Sequence, residues 1–162
     1  LIVNKNNPVT NLTRAQIADI YTGKITNWKD VGGKDEKIVV VSRDSASGTF
    51  EAFSELALKG QKVVQSALMQ SSNQAIVSLI SKTQSAIGYV GVGYAGASIK
   101  TIKVDNIASD KNTVKNGTYP LSRDLYMLTN ANPSAEVLKF INFVLSPQGQ
   151  AIVEQQGFVS IK

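Results

Sequence analysis

Within seven residues, Arg43-Asp44-Ser45-Ala46-Ser47-Gly48-Thr49, the chain gathers a guanidinium, three hydroxyls and a glycine. Together those groups can hold a small anion without making or breaking a covalent bond. Arg43 supplies a fixed positive charge and paired N–H donors matched to a tetrahedral oxyanion. Ser45, Ser47 and Thr49 add hydroxyl donors, and Gly48 lets a ligand approach the backbone. The competing reading is that Ser47 simply caps a helix and Arg43 pairs with a surface carboxylate. The concentration of donors in so short a stretch favours anion binding.

These residues need elements to position them. Ile38 to Val41 is an apolar, β-branched run that reads as a buried strand, and Phe50, Phe53, Leu56 and Ala57 recur at helical spacing over 48–58. A strand, a tight polar turn and a helix start leave the first helical N–H groups unpaired and pointing into the turn, at the positive pole of the helix. Upstream, Thr13 and Gln16 have capping-box spacing, Leu12 and Ile17 can staple, and Gly23 is placed to end that helix. Trp28 reads as a packing anchor. Downstream, Val63, Val64, Ala67 and Leu68 predict a short helix, and 71–83 a longer one capped by Ser71 or Ser72. Strands are expected at 86–90, 99–104 and 125–129, with a polar surface excursion at 105–117. Pro133 at a first helical position opens a helix through Leu145, and Ser146-Pro147 opens another that stops near Gly157. Strands alternating with helices predict an α/β fold with a largely parallel sheet.

Composition removes several alternatives. At 162 residues with 43% hydrophobic and 18% charged residues, the chain can bury a core as one domain of ordinary size. There is no cysteine and no histidine, so disulfides, thiolate or imidazole metal ligands and the Ser-His-Asp arrangement are out of reach. No apolar run approaches the roughly 20 residues of a membrane-spanning helix. The net charge of +5 is scattered along the chain, and aromatics are not interleaved with Arg and Lys, so nucleic acid is not an expected partner. Gly91-Val92-Gly93-Tyr94-Ala95-Gly96 matches G-x-G-x-x-G, but a strand-like segment follows where a dinucleotide site needs a helix. Ser78 and Lys82 stand one helical turn apart with nothing to desolvate the lysine. Leu1 to Asn4 reads as a strand already under way, with no charged and apolar leader ahead of it.

Taken in order, the segments NPVTNLTRAQIADIYTGKITNW, VVVSRDSASGTFEAF, SAIGYVGVGYA, YPLSRDLYMLT and FINFVLSPQGQAIVEQQGFVSI resemble the phosphate-binding proteins of bacterial and archaeal phosphate ABC transporters. The resemblance runs from Leu1 to Lys162. It implies a periplasmic-binding-protein-like fold of type II, two α/β lobes with a cleft that holds phosphate by hydrogen bonds, and neither metal, cofactor nor enzymatic activity. By position it assigns the ligand motif to Arg43, Ser47, Gly48 and Thr49, with Ser45 inside it. It implies inorganic phosphate or a related oxyanion as ligand, an ABC permease as partner, and a periplasmic or extracellular location, with a lipid anchor on the full-length protein. Residues 1–125 are expected to form the second lobe, and 126–162 a hinge strand and C-terminal helices of an incomplete first lobe. The family's Gly-Ser-Thr loop, second serine loop and proton-accepting aspartate do not precede Leu1, and Asp44 does not stand in that aspartate's place. Phosphate affinity is therefore expected far below that of a complete protein, and the helices at 133–156 are expected to self-associate. A regulatory or adhesive module without transport is the alternative. An enzyme acting on phosphate esters is disfavoured by the missing base and metal ligands.

Overall fold

A computed structural model describes residues 1–161. The chain opens with β1 (Ile2–Val3) and β2 (Asn11–Leu12) and turns into α1 (Arg14–Thr22). The expected capping box is formed: Thr13 Oγ1 accepts from the Gln16 N–H, and the Gln16 side chain accepts from the Thr13 N–H. Gly23 ends α1 at φ 83°, a left-handed conformation that favours glycine. Trp28 opens a 3₁₀ turn, is fully buried, and donates its Nε1–H to Ser85 O at 2.8 Å, as a packing anchor should.

Then come β3 (Val39–Arg43), α2 (Gly48–Phe53) and a π turn over 54–58, which together fill the helix expected at 48–58. The helix expected around 63–68 does not form. Lys59 and Gly60 both take positive φ, and the Val64 N–H donates to Tyr21 O at 2.8 Å, so the segment is pinned to the end of α1. Strand β4 (Leu68–Gln70), α3 (Asn73–Lys82, capped by Ser72) and β5 (Ala86–Gly88) follow. The single strand expected at 99–104 is split at Ile102 into β6 (Lys100–Thr101) and β7 (Lys103–Val104), which join different sheets. The surface excursion contains a short helix, α4 (Lys111–Lys115).

The main sheet has the order β4-β3-β5-β1-β6. Strand β3 pairs in parallel with both β4 and β5, whereas β1 is antiparallel to β5 and β6, so only β1 runs against the rest. Strands β2 and β7 pair in parallel beside it. Period-two alternation builds a core on each face. Val3, Val40 and Ile87 face α1 and α2, while Ile2, Val41 and Ala86 pack with Ile76, Val77 and Ile80 of α3.

Two further expectations fail beyond residue 121. Residues 125–129 form no strand, because nothing among the described residues pairs with them; Leu128 is 92% exposed. Helix α5 (Ala135–Leu145) starts two residues later than expected, since Ser134 Oγ caps it by accepting from the Val137 N–H and Pro133 lies outside the cap. Helix α6 (Pro147–Gln155) starts as expected, with Ser146 as cap and Pro147 first. Among the described residues, none after Leu121 joins either core. The C-terminal segment instead touches the body where Gly157 packs on Gly93: a Cβ on Gly93 would fall 2.3 Å from Gly157 Cα. That close approach accounts for a glycine of the G-x-G-x-x-G match without any nucleotide.

Candidate functional site

The parallel strands β3, β4 and β5 end on one edge of the sheet, at Arg43, Gln70 and Gly88. The β3–α2 turn therefore lies at the carboxyl edge, where open α/β sheets present ligand sites. Beneath it, Ser42 is buried and its Oγ lies 2.8 Å from the Tyr89 hydroxyl, which also accepts from the Arg43 N–H at 3.1 Å. The Tyr89 ring stacks on Phe53 with centroids 3.9 Å apart, locking β3, β5 and α2 together under the turn. Burial raises the Tyr89 phenol above its ordinary pKa, so it remains a neutral hydrogen-bonding group.

Arg43 is half-buried and held by the β4–α3 connection. Its Nε donates to Gln70 O (3.2 Å), Nη1 to Asn73 Oδ1 (3.3 Å) and Nη2 to Ser71 O (3.0 Å). The sequence predicts that Arg43 offers its paired N–H groups to a ligand; in the structure the charge is fixed in place, and the protein's own oxygens take part of the donor set. A guanidinium has five N–H groups, so two stay free.

The turn itself is partly self-satisfied. Asp44 O accepts from the Ser47 N–H and Asp44 Oδ1 from the Ala46 N–H. Ser47 is buried and caps α2, its Oγ accepting from the Phe50 N–H at 3.3 Å, so the plain capping reading of this serine is correct. Its hydroxyl proton is not used by that bond. The Ser45, Gly48 and Thr49 N–H groups and the Ser45 and Thr49 hydroxyls have no partner among the described residues. Five unpartnered donors thus lie within residues 45–49, in the turn that follows Arg43 and at the start of α2. The adjoining open groove, about 630 Å³, begins at Ser45 to Gly48 and runs along α2 past Glu51 and Glu55. Its far end carries mixed charge, Glu51 and Glu55 with Lys59, whereas the end at Ser45 to Gly48 is lined by the unpartnered turn donors.

The chain as a whole has known relatives. The PBP superfamily domain matches residues 1–148. The chain belongs to the PBP superfamily. The phosphate-binding protein PstS of Borreliella burgdorferi is 36% identical over 166 residues, covering 95% of this chain and 60% of its own length. That of Bacillus subtilis is 30% identical, covering 98% and 53%. Among solved structures, a candidate phosphate ABC transporter substrate-binding protein from Clostridium perfringens, solved with bound phosphate, superposes with a TM-score of 0.87 at 40% identity, covering 99% of this chain and 67% of its own. An ABC-type phosphate transport receptor from Vibrio cholerae gives 0.89 at 36% identity, covering 98% and 67%. The chain thus spans between about half and two-thirds of the length of these relatives.

Within this PBP-superfamily chain, sequence reasoning missed three residues at the turn: Tyr89 and Asn73, which hold Arg43, and Arg123. Arg123 Nη2 donates to Gly48 O at 2.8 Å, and Nη1 lies 3.7 Å from Glu51 Oε2. No local pattern announces these contacts, which join residues 30 to 75 positions apart. Asp44 spends a carboxylate oxygen on the turn itself. Among the described residues, no three His, Cys, Asp or Glu side chains gather as for a metal, and no helix is long and apolar enough to cross a membrane.

Proposed function

We propose that this chain is the anion-binding lobe of a phosphate solute-binding protein, holding inorganic phosphate or a related oxyanion at Arg43, Ser45, Ser47, Gly48 and Thr49. It serves the permease of an ABC importer from outside the cytoplasmic membrane and catalyses no reaction. The observation that carries this reading is the pair of unpartnered amides at Gly48 and Thr49, with the Ser45 and Thr49 hydroxyls, beside the fixed Arg43 guanidinium in a chain whose relatives are phosphate-binding proteins. We assign 1–125 to one lobe and 126–162 to the hinge and helices of another. The absence of any described residue after Leu121 from the cores, and the exposed Val137, Leu138, Phe140 and Phe143 on α5, support that division.

The test is a titration of the isotopically labelled chain with inorganic phosphate, followed by amide NMR. The Gly48 and Thr49 resonances move first and furthest, with weak affinity, and Arg43→Ala removes the response. Phosphate shifts that leave 43–49 untouched, or that persist in Arg43→Ala, refute the assignment.

A further inference from the structure

Gly48 does not take a left-handed backbone conformation, so its φ does not require glycine. What would meet a side chain there is Arg123: a Cβ on Gly48 would lie 3.1 Å from Arg123 Nη2, the one atom near it. The guanidinium lies against the glycine because it donates to Gly48 O at 2.8 Å. Its other terminal nitrogen faces Glu51, on the first turn of α2. A carboxylate there favours the helix, since it sits at the positive pole, yet the same charge repels an anion held by the Gly48 and Thr49 amides. A cation that pairs with Glu51 from the side, without occupying the amides, resolves the conflict.

We propose that Arg123 is a second cationic residue of the anion site, a positioning residue that docks the 120–124 segment on the first turn of α2 and cancels the Glu51 carboxylate beside the ligand. The inference rests on the phosphate-binding reading above. The turn then lies between two guanidinium groups with different roles. Arg43 is fastened to β4 and α3 and offers two N–H groups to the ligand. Arg123 is fastened to the backbone of the site and acts through its field. The pair is partly exposed, so its effect on the ligand is Coulombic and screened rather than that of a buried ion pair.

The experiment is phosphate titration by amide NMR of the wild-type chain and of Arg123→Ala, Arg123→Lys, Glu51→Gln and the double variant Arg123→Ala/Glu51→Gln, each checked for folding by its thermal melt. One uncompensated unit charge within a few ångströms of a solvated anion weakens binding about three- to tenfold in Arg123→Ala. Glu51→Gln in that background recovers most of the loss, and Arg123→Lys, which keeps the charge, retains most of the affinity. The difference shrinks as ionic strength rises from about 0.01 M to about 1 M, where the Debye length falls from roughly 30 Å to roughly 3 Å. A role confined to bracing the fold predicts no rescue by Glu51→Gln and no salt dependence. Arg123→Ala binding within twofold of wild type, or a double variant no tighter than Arg123→Ala, overturns the proposal while leaving the phosphate site standing. Should Arg123→Ala fail to fold, Arg123→Lys binding more than tenfold weaker than wild type overturns it. A wild-type chain whose Gly48 and Thr49 amides ignore phosphate overturns both readings together.

Discussion

Replacing Tyr89 by phenylalanine isolates the contribution of one buried hydroxyl to the geometry of the turn. The ring keeps its stack on Phe53 and its place between the β3 and α2 residues, so little packing changes. What is lost is the acceptor for the Arg43 N–H at 3.1 Å and the partner of Ser42 Oγ at 2.8 Å, both beneath the sheet edge. An orphaned buried donor costs about 1–3 kcal/mol. For a domain of this size, each kcal/mol moves the melting point by roughly 2–4 °C, so Tyr89→Phe should melt about 2–12 °C below wild type. Ser42→Ala removes the hydroxyl pair and a long 3.4 Å bond from Ser42 Oγ to Arg43 O but leaves the Arg43 N–H satisfied, and should cost about 0.5–1.5 kcal/mol. Because the three groups share one oxygen, the double variant should fall short of the sum by about 0.5 kcal/mol or more. Thermal melts by circular dichroism of the two single variants and the double variant measure all three quantities. A Tyr89→Phe melting point within about 1 °C of wild type refutes the reasoning, as does strict additivity with Ser42→Ala.

Alkaline stability tests the other buried phenols. Burial lifts Tyr119 to about 12, so the folded chain holds that proton more tightly than the unfolded one. Its contribution is complete below pH 10 and disappears as pH rises towards 12, about 3 kcal/mol in all, with Tyr21 and Tyr89 shifted the same way. Denaturant midpoints should therefore fall as pH rises from about 10 towards 12, and Tyr119→Phe should lose less over that interval; an equal loss would contradict the assignment. Gly93→Ala places a Cβ against the backbone of Gly157, which cannot swing aside as a side chain can, and should cost about 1–3 kcal/mol. Limited proteolysis should then release the C-terminal segment, while Gly96→Ala, which points into open space, should be silent. The exposed apolar face of α5 should drive concentration-dependent association that Phe140→Glu abolishes, and light scattering showing a wild-type monomer at high concentration would sink that expectation.

Features set by a few adjacent residues were legible in the sequence. The Thr13–Gln16 box, the Ser72 and Ser146 caps, the left-handed Gly23 and the burial of Trp28 all follow from local chemistry, and so does the alternation that sends Val40 and Val41 to opposite faces. Local pattern failed where a distant group competed for the backbone. Apolar spacing at 63–68 reads as a helix only until Tyr21 O takes the Val64 N–H. The run 125–129 has strand composition and no strand to pair with among the described residues. At the site, the motif from Arg43 to Thr49 is contiguous and was readable from resemblance and residue type. The acceptors that hold Arg43 lie near residues 70–73, and the guanidinium on Gly48 comes from position 123, so neither could be read locally.

The arrangement also explains why so complete a donor set should bind weakly in this chain alone. Gly48 is exposed and Thr49 half-exposed, so an anion arriving there exchanges hydrogen bonds to water for hydrogen bonds to protein and gains little net free energy. The same donors become strong only when a second surface excludes water and lowers the local dielectric. The chain covers 60% of the length of the Borreliella burgdorferi relative, so a cover of that kind is within the size of what the relative has in addition. Many of the exposed apolar residues lie close together in the chain. Leu125, Tyr126, Met127 and Leu128 follow Arg123 after one intervening residue, Asp124, and the apolar residues of α5 lie further along the chain. A surface that covers 125–128 pulls on the segment whose guanidinium rests on Gly48. On the role proposed for Arg123, burial of that apolar run and anion binding at the turn should be coupled, so that a ligand that tightens one protects the amides of the other from hydrogen exchange.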